Sequence, residues 1–226
     1  MARKLSEDVV RKRYLQWALL PIVIVTIALG WKYTFLGYSV PIVMTAGMTV
    51  GAFRGRYMCG NFCPRGGFAD RLLSMVGRET SIPEFFSNMQ FRAVVFTALV
   101  GFLTFRLINK PVDLDWANHI GKVFWFMCVF TTSISVLLGV AIHQRSWCSF
   151  CPIGTVANAA GKGKYLFRID GDKCRECRVC EKVCPMKLEI VKFRPEGKLL
   201  NPDCLKCGEC VGACPAKALS VPLSTG

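Results

Sequence analysis

Twelve of the thirteen cysteines in this 226-residue chain stand in short clusters that end in Cys-Pro. Such spacing belongs to metal ligation rather than to a disulfide framework. Cys174, Cys177, Cys180 and Cys184 precede Pro185 as C-x2-C-x2-C-x3-C-P, and thirty residues on Cys204, Cys207, Cys210 and Cys214 precede Pro215 with the same spacing. Two pairs remain: Cys59 and Cys63 before Pro64, and Cys148 and Cys151 before Pro152. Thiolates hold either zinc or iron–sulfur clusters. Zinc ribbons usually join two C-x2-C units across a longer gap and lack the triple seen here, so the spacing favours iron and sulfide.

Over roughly Asp170–Val221 the chain resembles the bacterial two-cluster ferredoxins. In that pattern three closely spaced thiolates let one tight loop wrap three corners of a cubane. The fourth Cys, three residues further on and followed by Pro, ligates the other cluster. The resemblance implies one [4Fe–4S] cluster on Cys174, Cys177, Cys180 and Cys214, and a second on Cys204, Cys207, Cys210 and Cys184. The segment is basic, with Lys173, Arg175, Arg178, Lys182, Lys187, Lys192 and Arg194. That charge suits anionic lipid headgroups or an acidic electron-transfer partner.

The two remaining pairs repeat each other. Arg56-Tyr57-Met58-Cys59-Gly60-Asn61-Phe62-Cys63-Pro64-Arg65-Gly66 and Arg145-Ser146-Trp147-Cys148-Ser149-Phe150-Cys151-Pro152-Ile153-Gly154 share an Arg, two residues, Cys, a gap ending in Phe, then Cys-Pro-x-Gly. Each follows two apolar segments, which makes an internal parallel repeat. Repeats of this kind are commonly related by an axis along the membrane normal. Such an axis would bring Cys59, Cys63, Cys148 and Cys151 together at one membrane surface, where we expect a third iron–sulfur cluster. Arg56, Arg65 and Arg145 would favour the thiolates. The plainer alternative is redox-active or structural thiol pairs.

The elements that must position these groups are membrane helices. Hydrophobic residues make up 52% of the chain and the mean hydropathy is +0.36, high for a soluble protein. Spans are expected near Leu15–Trp31, Tyr33–Phe53, Phe91–Ile108 and Val123–Ile142, each close to the roughly 20 residues a bilayer core requires. Pro41, Gly47 and Gly51 are tolerable inside a span, and Arg106 can snorkel from the end of the third. The basic start followed by an apolar run is read as an uncleaved span, since a second apolar segment follows at once. Cations crowd the N-terminus (Arg3, Lys4, Arg11, Lys12, Arg13) and the middle loop (Arg54, Arg56, Arg65, Arg71, Arg78), whereas the other connections hold Lys32, Lys110 and Lys122 beside Asp113 and Asp115. The positive-inside rule then puts the N-terminus and the C-terminal domain in the cytoplasm of a bacterial-type inner membrane. The net charge of +14 flanks apolar segments, a distribution that speaks against nucleic-acid binding. Cys128, mid-span, is read as small apolar packing.

Four spans, two membrane-proximal Cys-Pro motifs and a terminal two-cluster segment together resemble the NapH-type membrane polyferredoxin quinol dehydrogenases, relatives of NosR and CcoG. The resemblance implies a membrane all-α domain over 1–160, its four helices forming two parallel repeats, joined through Gly161-Lys162-Gly163-Lys164 to a small α+β ferredoxin-like domain over 165–226. It implies electron transfer between the quinone/quinol pool and a partner reductase or dehydrogenase subunit, with membrane lipid as the other contact. The family keeps C-x3-C-P in both copies; here the second is shortened to C-x2-C-P. The large extra domains of the NosR and CcoG branches are not expected. A quinol site needs an apolar slot with a proton acceptor, and His143 with Arg145 is the candidate beside the second Cys-Pro motif. His119 is expected to be a solvated residue of an outer loop. The rival reading is an assembly factor that reduces a metal or thiols for another enzyme.

Overall fold

A computed structural model describes residues 7–78, 80–111 and 115–221; Arg3, Lys4 and Asp113 lie outside them. Four candidate spans organise the molecule. Helix α1 is Glu7–Leu29 and carries Pro21 without breaking. Helix α2 is Ser39–Arg54, entered through a tight 3-10 turn over Thr34–Tyr38. After the short helices α3 (Tyr57–Asn61), α4 (Pro64–Phe68) and α5 (Ser74–Val76) come the third and fourth spans, α6 (Met89–Ile108) and α7 (Trp116–Ala141). Helix α6 begins where Asn88 accepts a hydrogen bond from the Gln90 amide, an ordinary N-cap.

The fourth span starts earlier than hydropathy suggests, and this corrects one expectation. His119 lies in the first turns of α7, buried, with Nε2 2.9 Å from the Arg106 carbonyl. It ties two helix ends together instead of standing in a solvated loop. Arg106 also stacks over the ring of Phe126, 5.2 Å from its centroid.

Each Cys-Pro motif folds as two short helices with Cys at the joint: α3 into α4, and α8 (Ser146–Phe150) into α9 (Pro152–Ala160). Cys63 and Cys151 both have extended backbone, and the following Pro opens the next helix. Proline suits that place because its fixed φ is already helical and its missing N–H would have had no partner. The extra residue of the first copy is absorbed at the end of α3, where the Cys63 amide donates to the Met58 carbonyl.

The C-terminal unit has little regular structure. Strands β1 (Arg168–Ile169) and β2 (Leu219–Ser220) pair antiparallel, with Ile169 opposite Leu219, and enclose α10 (Val179–Lys182) and α11 (Glu209–Ala213). Its core is Phe167, Ile169, Ile190, Leu199 and Leu219 together with Cys204 and Cys210. So small a core gains from a bound cluster. The Gly161–Lys164 junction packs on the end of α2: Gly161 abuts Gly51 and Gly55, and Lys164 Nζ donates to the Ala52 carbonyl.

Candidate iron–sulfur centres

Two small cavities in the C-terminal unit sort its cysteines. Cys174, Cys177, Cys180 and Cys214 line one, and Cys184, Cys204, Cys207 and Cys210 line the other. Each loop bends around its cavity by entering the left-handed region twice, at Glu176 and Arg178 in one and at Lys206 and Gly208 in the other. Lys187 and Lys217, three residues beyond the Cys that precedes each Pro, do the same. A non-glycine residue accepts this conformation at about 1–2 kcal/mol. The arrangement turns backbone N–H groups inward, where they can meet sulfur; the Ala218 amide lies 3.3 Å from Cys214 Sγ.

Each cavity is lined by four cysteines, the ligand number a [4Fe–4S] cluster takes. Among the described residues no three His, Cys, Asp or Glu side chains are grouped to hold a single metal ion. The thiols surround cavities instead of converging on a point. Burial pushes the Cys207 thiol up to about 11 although Lys12 pulls it down, and burial likewise raises Cys210. A metal centre binds the thiolate, so loading it displaces these protons to solvent.

Cys59, Cys63, Cys148 and Cys151 line one wall of a single larger cavity. Burial pushes Cys59 up to about 12, opposed by the charge of Arg56 and reinforced by Cys63, Cys151 and Cys148. The four thiols thus share one cavity. Around Cys148, Ser146 Oγ, Trp147 Nε1 and Ser149 Oγ are buried with no hydrogen-bond partner among the described residues. Of these, Trp147 lines the thiol cavity, so its indole N–H is a donor open to an acceptor such as cluster sulfide.

The two repeats interlock through their arginines. Arg56 donates to the Cys148 carbonyl, and Arg145 Nη1 donates to the Cys59 carbonyl at 3.3 Å and reaches Cys148 Sγ at 3.4 Å. Each arginine thus holds the other repeat's first Cys. The glycine of each Cys-Pro-x-Gly makes the space. A Cβ on Gly154 would stand 2.9 Å from Arg56 Nη2, and one on Gly66 would stand 3.0 Å from Arg145 Nη1. Spacing alone did not assign these glycines or the arginine crossing; the shared motif R-x2-C…C-P-x-G was the available signal.

The charge partners differ. Arg145 is fully buried and grips Asp70 through Nε to Oδ1 at 2.7 Å and Nη2 to Oδ2 at 2.6 Å. Burial works against the Asp70 carboxylate, yet Arg145 holds it below its ordinary value. Arg56 pairs instead with Asp203 of the C-terminal unit, at 2.8 Å. Sequence reasoning missed both aspartates, since neither stands in a ligand motif.

The thiol cavity, about 200 Å³, extends between the helices, lined by apolar side chains such as Val43, Leu99, Leu103 and Phe124. Thr131, bonded to Arg65 at 2.8 Å, also lines it, as does Cys128, a buried small side chain of the core. Arg145 borders this cavity. His143 does not: it is buried, accepts the Arg145 amide through Nδ1 at 3.1 Å, and lines a separate cleft of about 560 Å³ with Arg13, Arg71, Lys182 and Cys184. The two residues thus touch through that hydrogen bond while their side chains open onto different cavities.

Comparison with known proteins agrees with this division. The family described as a 4Fe-4S dicluster domain matches residues 166–215. The family described as a 4Fe-4S binding domain matches twice, at 36–83 and 123–169, once per repeat. The ferredoxin-type protein NapH of Haemophilus influenzae is 32% identical over 133 residues, covering 54% of this chain and 44% of its own. An uncharacterized protein of Methanocaldococcus jannaschii is 23% identical, covering 74% of this chain and 64% of its own. YccM of Escherichia coli K12, named as a candidate electron transport protein, is 22% identical over 81% of this chain and 57% of its own length. The chain spans less than two thirds of the length of each of these relatives. No solved structure matches. The chain is thus similar to the NapH-type polyferredoxins, with 4Fe-4S binding domains of both kinds and four helices long and apolar enough to cross a membrane.

Proposed function

We propose that this chain is the membrane subunit that passes electrons between the quinone/quinol pool and a partner oxidoreductase. The observation that carries the reading is one contact. Gly60, next to Cys59, meets the Cys204–Cys207 loop so closely that a Cβ there would stand 3.1 Å from Cys207 Cβ. The Cys184/Cys204/Cys207/Cys210 set therefore adjoins the Cys59 loop of the membrane set, and in the remaining set Cys177 is exposed, where a partner could reach it.

In this reading each set holds an iron–sulfur cluster, and the clusters when bound supply one-electron chemistry between a two-electron quinol and the partner. The residues do the rest. The apolar cavity above the Cys-Pro set takes the quinone ring and excludes water, with Arg145 at its border. Residues 1–160 form the membrane domain and 165–226 the ferredoxin domain, both open to the cytoplasm on the side where the cations crowd. The basic surface around Lys173, Arg175 and Arg178 receives an acidic face of the partner.

Anaerobic EPR of the purified protein, before and after reduced menaquinol or ubiquinol, tests this. Signals from quinol-reduced clusters are expected. Reduction by dithionite with none from either quinol would overturn the quinone link and favour a soluble donor.

A further inference from the structure

Asp203 stands immediately before Cys204 and is the carboxylate of a buried ion cluster. Arg56 Nη1 reaches Oδ1 at 2.8 Å, Arg92 Nη2 reaches the two oxygens at 2.6 and 2.7 Å, and Ser87 Oγ donates to Oδ2 at 3.1 Å. Arg56 and Arg92 are 2% and 5% exposed and the Asp203 side chain 9%, so solvent screens little of this charge. Two guanidiniums on one carboxylate leave a positive excess. It lies between the two thiol sets: Arg56 borders the cavity lined by Cys59, Cys63, Cys148 and Cys151 and donates to the Cys148 carbonyl, while its carboxylate partner Asp203 directly precedes Cys204. One guanidinium therefore serves two thiolate sets.

The same residues border the closest approach between the two units. Besides the Gly60 contact, Asn61 Nδ2 donates to the Lys206 carbonyl at 3.3 Å. On the far side of the loop Lys12 Nζ holds Glu209 at 2.8 Å. Asp203 is the buried anchor at the near side.

We infer that Asp203 is a positioning residue that clamps the Cys204–Cys207 loop onto the Cys59 loop and fixes the Arg56 guanidinium between the two thiolate sets, so that one buried cation balances the charge of both. The shared-cation half rests on the reading of the Cys-Pro set as a third centre; the clamp does not.

The test uses the intact, cluster-loaded protein in nanodiscs, with hydrogen exchange and a potentiometric EPR titration as readouts. Asp203→Ala should raise exchange at amides 204–209 at least about tenfold, because it strands two buried cations. Asp203→Asn, which keeps the shape, should do the same, and Asp203→Glu should restore most of the protection. Arg56→Gln should move the potentials of the Cys-Pro and Cys204 centres downward together and leave the Cys174 centre in place. Unchanged exchange in both Asp203→Ala and Asp203→Asn would overturn the clamp. A shift at only one of the two centres would overturn the shared cation. Wild-type protein with iron for only two clusters would sink the third centre, and with it the shared cation, while exchange still decides the clamp.

Discussion

The two Cys-Pro repeats are alike in almost every local respect and differ in where each arginine finds its carboxylate. Arg145 takes Asp70, seven residues past Cys63 in the partner repeat, in the π-helical turn Ala69–Leu73 that follows α4. The corresponding residue past Cys151 is Asn158, and Arg56 turns to Asp203 of the other unit. The half that is closed on itself is internal scaffold. The half that lacks its own carboxylate is where the ferredoxin unit docks. Departure from the repeat, more than the repeat itself, marks the direction in which the site communicates.

The comparison can be broken most severely at the thiols. Cys59→Ser with Cys151→Ser removes one ligand from each repeat, and about one third of the bound iron should go if each set holds a four-iron cluster. Iron analysis with retained ferredoxin EPR signals checks this; unchanged iron refutes the third centre. Next in size is Asp70→Ala. It leaves Arg145 buried without its anion and should cost about 3–5 kcal/mol in the membrane domain. Denaturation of the detergent-solubilised protein would read it, and in contrast with Asp203→Ala the exchange of amides 204–209 should stay protected.

Gly66→Ala and Gly154→Ala sharpen the contrast at lower cost. A Cβ on Gly66 meets the Cys59 carbonyl at 2.9 Å as well as Arg145, whereas the nearest atoms to one on Gly154 all belong to the Arg56 guanidinium. Backbone yields less than a side-chain end, so Gly66→Ala should fall at about 1–3 kcal/mol and Gly154→Ala below it. Equal costs would mean that the two halves are held alike. Smallest is Arg13→Ala: its 3.4 Å contact to Glu209 is made by a side chain 43% exposed, and melting should shift by an amount consistent with at most about 1 kcal/mol.

Much of this site was legible in the chain. The twelve candidate ligand cysteines, the two-span repeat and the arginines beside it are patterns of type and spacing, and spacing survives folding unchanged. The spans were legible because lipid demands length and apolarity; the start of α7 was missed because His119 and Lys122 interrupt the apolar run that hydropathy follows. The crossing of Arg56 and Arg145 between repeats, and the service of Asp70 and Asp203, were not legible. These are pairings between distant segments, and an isolated aspartate carries no mark of the cation it will meet. His143 misled for a related reason. Two residues from Arg145, it nevertheless opens onto a different cleft, because the chain turns between them.

The Arg56–Asp203 pair joins positions 147 residues apart. A contact of that range closes late, after both repeats have been made and inserted, since chain must be looped before it rewards the loop. Until then the Cys59 loop has no lid. A cofactor held by the membrane thiols would on this account be loaded before the C-terminal unit docks.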